Sequence, residues 1–246
     1  MHFHLPKPLH GWREFAGEVG IIVVGVLIAL AFEQVVANWQ WHERSEQALK
    51  ALRHELAQED AFATEMAVSV PCVDQQLAAL EDRVAGSGAR LNPAPNYSEA
   101  IYSRYTFRAP SREWPDQVWQ ALVAEGVTSH LDPVIRQRVD LAYQFSRENR
   151  ATNRQTDALA YRLQLLSRAV PLDPTSRNHL IEEIEEARGY FDDMKLRSNQ
   201  TLFAIRASGL APKNSAIDGF LKHSGTVQFC RAHAIPLGKV EPRLET

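Results

Sequence analysis

Cys72 and Cys230 are the only thiols in the chain, and no Cys-x-x-Cys pair occurs. Spacing of this kind gives no support to a thiolate zinc site. Two readings stay open: a disulfide, if this part of the chain lies outside the cytoplasm, or two buried free thiols. His2, His4 and His10 alternate near the start. Imidazoles so placed can bind a metal, but a short tail without a second ligand pair reads as solvated. Arg147, Arg150 and Arg154 share one helical face, the arrangement that grips a phosphate, although acidic residues further along offer plainer partners. Glu182, Glu183, Glu185 and Glu186 are interleaved with apolar residues and read as a solvated face. Tyr97, Tyr102, Tyr105, Phe107, Trp114 and Trp119 concentrate aromatics in one segment. They suit a ligand pocket less well than core packing with capped hydroxyls.

No nucleophile elbow, phosphate loop, dinucleotide fingerprint or His-Glu-x-x-His helix appears. No catalytic, cofactor-binding or metal-ligating residue is therefore assigned, and the chain reads as a non-enzyme. The net charge of −3 exerts no pull toward nucleic acid, while 45% hydrophobic and 23% charged residues fit a folded chain. A length of 246 residues suits one domain with an anchor.

Residues 19–32 carry no charge. As a helix that run covers about 21 Å, short of a hydrocarbon core of about 30 Å. Trp12 before it and Trp39 and Trp41 after it extend the span. From Trp12 to Trp39 a helix rises about 40 Å, the depth of a bilayer with its headgroups, where indoles settle. A cleaved signal peptide is the competing reading, with Lys7 and Arg13 ahead of the run and Ala29-Leu30-Ala31 as its cleavage site. Glu14 and Glu18 crowd the start of the run, and helical character continues past Ala31, so a retained transmembrane helix over 15–37 is expected. Lys7 and Arg13 lie close before it, and no basic residue follows until Arg44. This near flank predicts an inner-membrane protein whose soluble domain is periplasmic, although Arg44, Lys50 and Arg53 count the other way. Glu18, Gly25, Ala29 and Glu33 lie within roughly 60–80° of one another on the helix. Gly25 and Ala29 form a small-xxx-small pair suited to close helix approach. Acidic residues at the edges of the span either face protein or reach the headgroups, and both readings stand.

Gly17-Glu18-Val19, then Val24-Gly25-Val26-Leu27-Ile28-Ala29-Leu30, and a finish at Asn38-Trp39 make up this segment. It resembles the opening of a family of uncharacterised bacterial single-span membrane proteins, with a Gly-Glu-Ile-type start and a Gly-x-Leu-Ile-Ala-Leu core. Trp119, Leu122, Gly126, Leu131, Ile135 and Tyr143 resemble a second block of that family. The resemblance implies a single-span architecture and no particular activity.

The soluble part, 38–212, reads as all-α. Leu49, Leu52, Leu56, Glu59, Ala63, Met66, Val70, Val73, Leu77, Leu80 and Val84 keep a 3-4 spacing without a slip, with Glu59 the only polar member. Pro71 is expected to kink that helix. Ser98 predicts a helix toward Phe107, and another is expected from Arg112 to Glu125, closed by Gly126. Asp132-Pro133 and Asp173-Pro174 are twin helix starts. They predict an antiparallel hairpin of 133–168 and 174–208, with Arg162 facing Glu182 or Glu183 and Arg147 and Arg150 near Asp192 and Asp193. Leu180, Ile184, Ala187, Phe191, Met194, Ser198, Thr201 and Ile205 form the second helix's seam. Residues 213–246 read as a C-terminal tail with one amphipathic stretch over 216–222. The whole is expected to be an antiparallel bundle, an intermolecular coiled coil through the first seam being the alternative.

The leading functional expectation is a structural or accessory protein whose partners are the bilayer and either another protein or its own copies. The alternative is an extracytoplasmic small-molecule sensor acting through a partner, because helical bundles bind ligands between helices.

Overall fold

The computed structural model describes residues 11–97 and 106–239, and divides into the units Met1–Ala48 and Leu49–Thr246. Helix α1 (Trp12–Gly86) begins in the first. Among the described residues it is the one helix long and apolar enough to cross a membrane, with a mean hydropathy of 2.5 over its most apolar window. Ile21, Ile22, Leu27, Leu30 and Phe32 are all exposed. A contiguous apolar surface of that size marks an interaction site for lipid or protein.

The second unit is a helical bundle. The seam of α1 is buried from Leu52 to Val84, with Leu49 half-buried. Met66, Val70, Val73, Leu77, Leu80 and Val84 pack on Leu159 and Leu163 of α3 (Pro133–Leu163) and on Leu180, Ile184 and Met194 of α4 (Pro174–Ala207). Partners from the same chain thus cover the seam, in place of an intermolecular coiled coil. Pro71 lies inside α1, which continues through it.

The twin helix starts behave as their side chains dictate. Asp132 accepts from the amides of Val134 and Ile135, and Asp173 accepts from Ser176. Gly126 and Gly209 follow helix ends at φ values of 74° and 72°, where a Cβ would be strained. Helices α3 and α4 form the expected antiparallel hairpin, and Arg162 meets Glu183 at 2.5 Å.

Contacts at the two ends of the buried part of α1 fix its direction against that hairpin. Glu55 meets Tyr143 and Glu59 meets Ser146, whereas Val84 accepts from Arg177. Helix α3 therefore runs parallel to α1, and α4 antiparallel to both. The parallel pair needs a long crossover, residues 87–132. Its amides Leu91 and Ala94 donate to Val170 and Leu166, and Leu172 donates back to Ala89. No strand forms among the described residues. The helix expected from Ser98 lies outside those residues, save for Thr106 and Phe107 in a bend. Instead of beginning at Arg112, α2 spans Gln117–Ala124. Pro115 turns Trp114 away from helical geometry, and the indole is buried against Ala63 and Leu202.

The largest departure from expectation is at the C-terminus. The segment read as a tail forms α5 (Asn214–His223) and α6 (Gly225–Ala232), burying Ile217, Val227 and Cys230. The Gly238 amide donates to the Val68 carbonyl at 2.8 Å, one turn before Pro71. A Cβ on Gly238 would stand 3.0 Å from the Ala67 carbonyl oxygen and 3.1 Å from the Pro71 ring, so glycine permits this approach.

Candidate functional site

The interior of the bundle changes character along its length. From Met66 to Val84 the α1 seam is apolar, but the stretch around Glu55 and Glu59 is polar. Glu55 and Glu59 are one turn apart on the inner face of α1. Tyr143, Ser146 and Asn149 recur at three-residue spacing on α3, and Ser198 and Thr201 come from α4. All are buried.

Glu59 is fully buried and accepts from the Ser146 hydroxyl through Oε2, while Oε1 has no partner among the described residues. Burial raises its carboxyl pKa to about 8. The Ser146 hydrogen bond opposes that, Glu55 and Asp116 add to it, and Arg150 draws it back. Near neutral pH it is therefore a largely protonated acid inside the protein.

Glu55 is committed to structure. It accepts from Tyr143 Oη at 2.7 Å and from the amides of Val118 and Trp119 at 3.0 and 3.4 Å. Those are first-turn donors of α2, which its own N-cap residue, Asp116, leaves unbonded. A carboxylate from another helix caps α2. Trp119 stacks on Tyr143 with centroids 5.7 Å apart, closing the same corner. Burial, with Glu55 alongside, raises the Tyr143 pKa and keeps the phenol protonated. Asp116 pairs with Arg150 at 2.9 Å, and Arg150 also donates to the Trp114 carbonyl.

A further buried carboxylate, Glu65, takes Arg112 in a fork at 2.6 and 2.8 Å and also accepts from Ser224. The hydrogen bond to Glu65 raises the Arg112 pKa. This triad ties the crossover and the start of α6 to α1.

Cys72 and Cys230 form a disulfide with Cα atoms 6.1 Å apart, joining α1 to α6. Of the Arg147-Arg150-Arg154 stripe, Arg150 is spent on Asp116 and Trp114, so no shared anion grip forms. Nor do Arg147 and Arg150 supply the expected pairs with Asp192 and Asp193. Arg197 instead reaches Glu148 at 3.2 Å and Asp193 at 3.3 Å. Glu183 is buried beneath Arg162 and does not belong to a solvated face. The aromatics divide among separate packing sites: Phe107 on Phe191, Trp114 on Phe62, Trp119 on Tyr143, and Tyr97 on Phe229. His2, His4, His10, Tyr102 and Tyr105 lie outside the described residues. Glu18, Gly25, Ala29 and Glu33 are exposed along α1, with nothing within 4 Å of a Cβ built on Gly25. No group of histidine, cysteine and carboxylate residues among the described ones suits a metal ion.

Glu55, Glu65, Asp116, Tyr143 and Ser146 did not stand out in the sequence as a group. Glu59, the polar break in the first seam, was the one signal available. Comparison with protein-family models, curated proteins and solved structures gives no match.

Proposed function

We propose that this chain is a single-pass, membrane-anchored helical-bundle protein serving as a structural or accessory component of a cell-envelope assembly. The observation that carries the reading is the fully exposed apolar stretch of α1, flanked by exposed Trp12 and Trp39. Water does not tolerate a surface of that size, and a bilayer accepts it. The Cys72–Cys230 disulfide supports an oxidising compartment for the soluble domain. Together with the basic near flank ahead of the span, it favours the inner membrane with the bundle on the periplasmic side.

The polar interior supports a structural role better than a catalytic one. Glu55 caps α2, Glu65 takes an arginine fork and Asp116 an arginine ion pair, contacts that fix one arrangement of helices. The Gly25–Ala29 face, with Glu18 and Glu33 at its edges, is the surface through which the span would meet a partner or a second copy. The test is chemical crosslinking in membranes followed by purification of the full-length chain. A discrete crosslinked partner or homodimer, lost when Gly25 and Ala29 are replaced by Leu while the protein stays in the membrane, is the expected result. Recovery of the protein in the soluble fraction, with its N-terminus cleaved after Ala31, would overturn the anchor itself.

A further inference from the structure

Helix α6 begins against a cleft of about 200 Å³ whose walls include Phe107, Arg108, Ala160, Phe191, Gly225 and Thr226. Three features of that corner lack a protein partner among the described residues. The first is the half-buried Arg108 guanidinium, for which no ion pair or side-chain hydrogen bond is formed. The second is the Thr226 hydroxyl, on a residue only 3% exposed that lines the cleft. The third is the pair of amides at Gly225 and Thr226, which precede the first bonded turn, since Ser224 caps Val227 and its carbonyl accepts from Gln228.

We propose that this corner is a binding site for a small organic carboxylate, held by the Arg108 guanidinium, the Thr226 hydroxyl and the free amides of Gly225 and Thr226. The start of a helix offers N–H groups and the positive end of its dipole to an anion. Arg108 adds a cation to the same place. Its Nη2 stands 2.8 Å from where a Cβ on Gly225 would sit, so the glycine lets the guanidinium lie directly over the helix end.

The corner is also held rigid. The backbone of Arg108 is gripped at both polar groups by Gln76 of α1, at 2.7 and 3.1 Å. Ser224 is tied to Glu65, and Cys230 is bonded to Cys72. Donors held in place before the ligand arrives lose little freedom on binding.

The remaining wall narrows the ligand class. Phe107, Ala160 and Phe191 are apolar, which suits a short hydrocarbon or aryl group behind the charged end. Asp157 also lines the cleft and accepts from Ser111 at 3.3 Å. Arg112 lines the cleft too but is paired with Glu65, so a carboxylate beside one unpaired arginine disfavours a dianion such as a phosphate monoester and leaves room for a monoanion.

Benzoate is the probe, with benzyl alcohol as its uncharged counterpart, titrated calorimetrically into the full-length chain in detergent micelles. The expected result is saturable binding of benzoate and none of benzyl alcohol at equal concentration. Arg108→Met removes the charged hydrogen bonds, and Gly225→Ala pushes the guanidinium off the helix end. Each should weaken benzoate by about tenfold or more, with the melting temperature of the unliganded protein unchanged in Gly225→Ala. Absence of saturable benzoate binding by the wild type, equal affinity in wild type and Gly225→Ala, or equal binding of benzyl alcohol overturns the site.

Discussion

Glu59 on α1 and Ser146 on α3 face each other inside the bundle, joined by a hydrogen bond to only one of the two carboxyl oxygens. The folded carboxyl titrates at about 8, against an ordinary value of 4.5. Between those values the folded protein keeps a proton that the unfolded chain has released. Its contribution is complete below 4.5 and is lost as the pH rises toward about 8. Denaturant unfolding of the wild type should therefore give a stability lower at about pH 8 than at about pH 5, by on the order of a few kcal/mol. Glu59→Gln keeps the shape without the charge. It should match the wild type at the lower pH and exceed it at the higher. Parallel pH profiles for the two proteins would remove Glu59 as the source.

Glu55 caps a helix to which it does not belong. Its carboxylate accepts from Val118, Trp119 and Tyr143 at once. Glu55→Ala should cost about 2–3 kcal/mol, a lost N-cap together with a buried phenol left without its acceptor. Tyr143→Phe removes only one of the three bonds and should cost about 1 kcal/mol. Equal losses from the two substitutions would show that the cap contributes nothing.

The three long helices were legible in the sequence for a physical reason. Seams such as Leu52-Leu56-Glu59-Ala63 and Leu180-Ile184-Ala187-Phe191 record burial on one face, and Asp-Pro pairs record where a helix must start. Burial off the seam leaves no such record. Glu65 stands two positions after Ala63 and reads as a surface acid, yet Arg112 and Ser224 cover it from distant parts of the chain. Parallel packing of α1 and α3 was hidden likewise, because it is set by the crossover and not by either helix. The short helices α5 and α6 owe their place to Cys230 and Gly238, whose partners lie more than one hundred and fifty residues earlier.

Arg162 and Glu183 separate buried from exposed pairing within one hairpin. The carboxylate is 8% exposed in its side chain and the arginine 49%. Removing the arginine strands a desolvated charge, with His179 the nearest replacement at 3.7 Å. Arg162→Met should cost about 1–2 kcal/mol. By comparison, Glu148→Gln breaks a half-exposed partner of Arg197 and should cost less than about 1 kcal/mol. Urea midpoints of the two variants in the same buffer decide the order, and a larger loss from Glu148→Gln would reverse the argument.

The disulfide should matter more to the C-terminal helices than to the bundle. Helices α5 and α6 have 10 and 8 residues, below the length of about 12–15 residues at which an isolated helix becomes marginal in water. They depend on their contacts with the rest of the domain, among them the Cys72–Cys230 bond, the Ser224–Glu65 hydrogen bond, the Gly238 amide on Val68, the Phe220 ring on Phe62 and the burial of Ile217 and Val227. The apolar core from Met66 to Met194 draws no residue from either helix. Against unfolding of the whole chain, closing a loop of sequence separation 158 stabilises by about 5 kcal/mol in the chain-entropy model; while the bundle stays folded, the bond acts on the segment that α6 anchors. In the full-length protein, Cys72→Ala with Cys230→Ala should therefore leave most of the helical circular dichroism in place. Trypsin cutting after Lys222, which lies inside α5, requires that helix to open, and it should accelerate by about tenfold or more in the variant. A fragment ending near Lys213 and containing α1, α3 and α4 should persist. If helicity is lost in step with cleavage at Lys222, the two parts unfold together and the disulfide secures the whole bundle; if the cleavage rate does not change, the remaining contacts hold α5 and α6 without it.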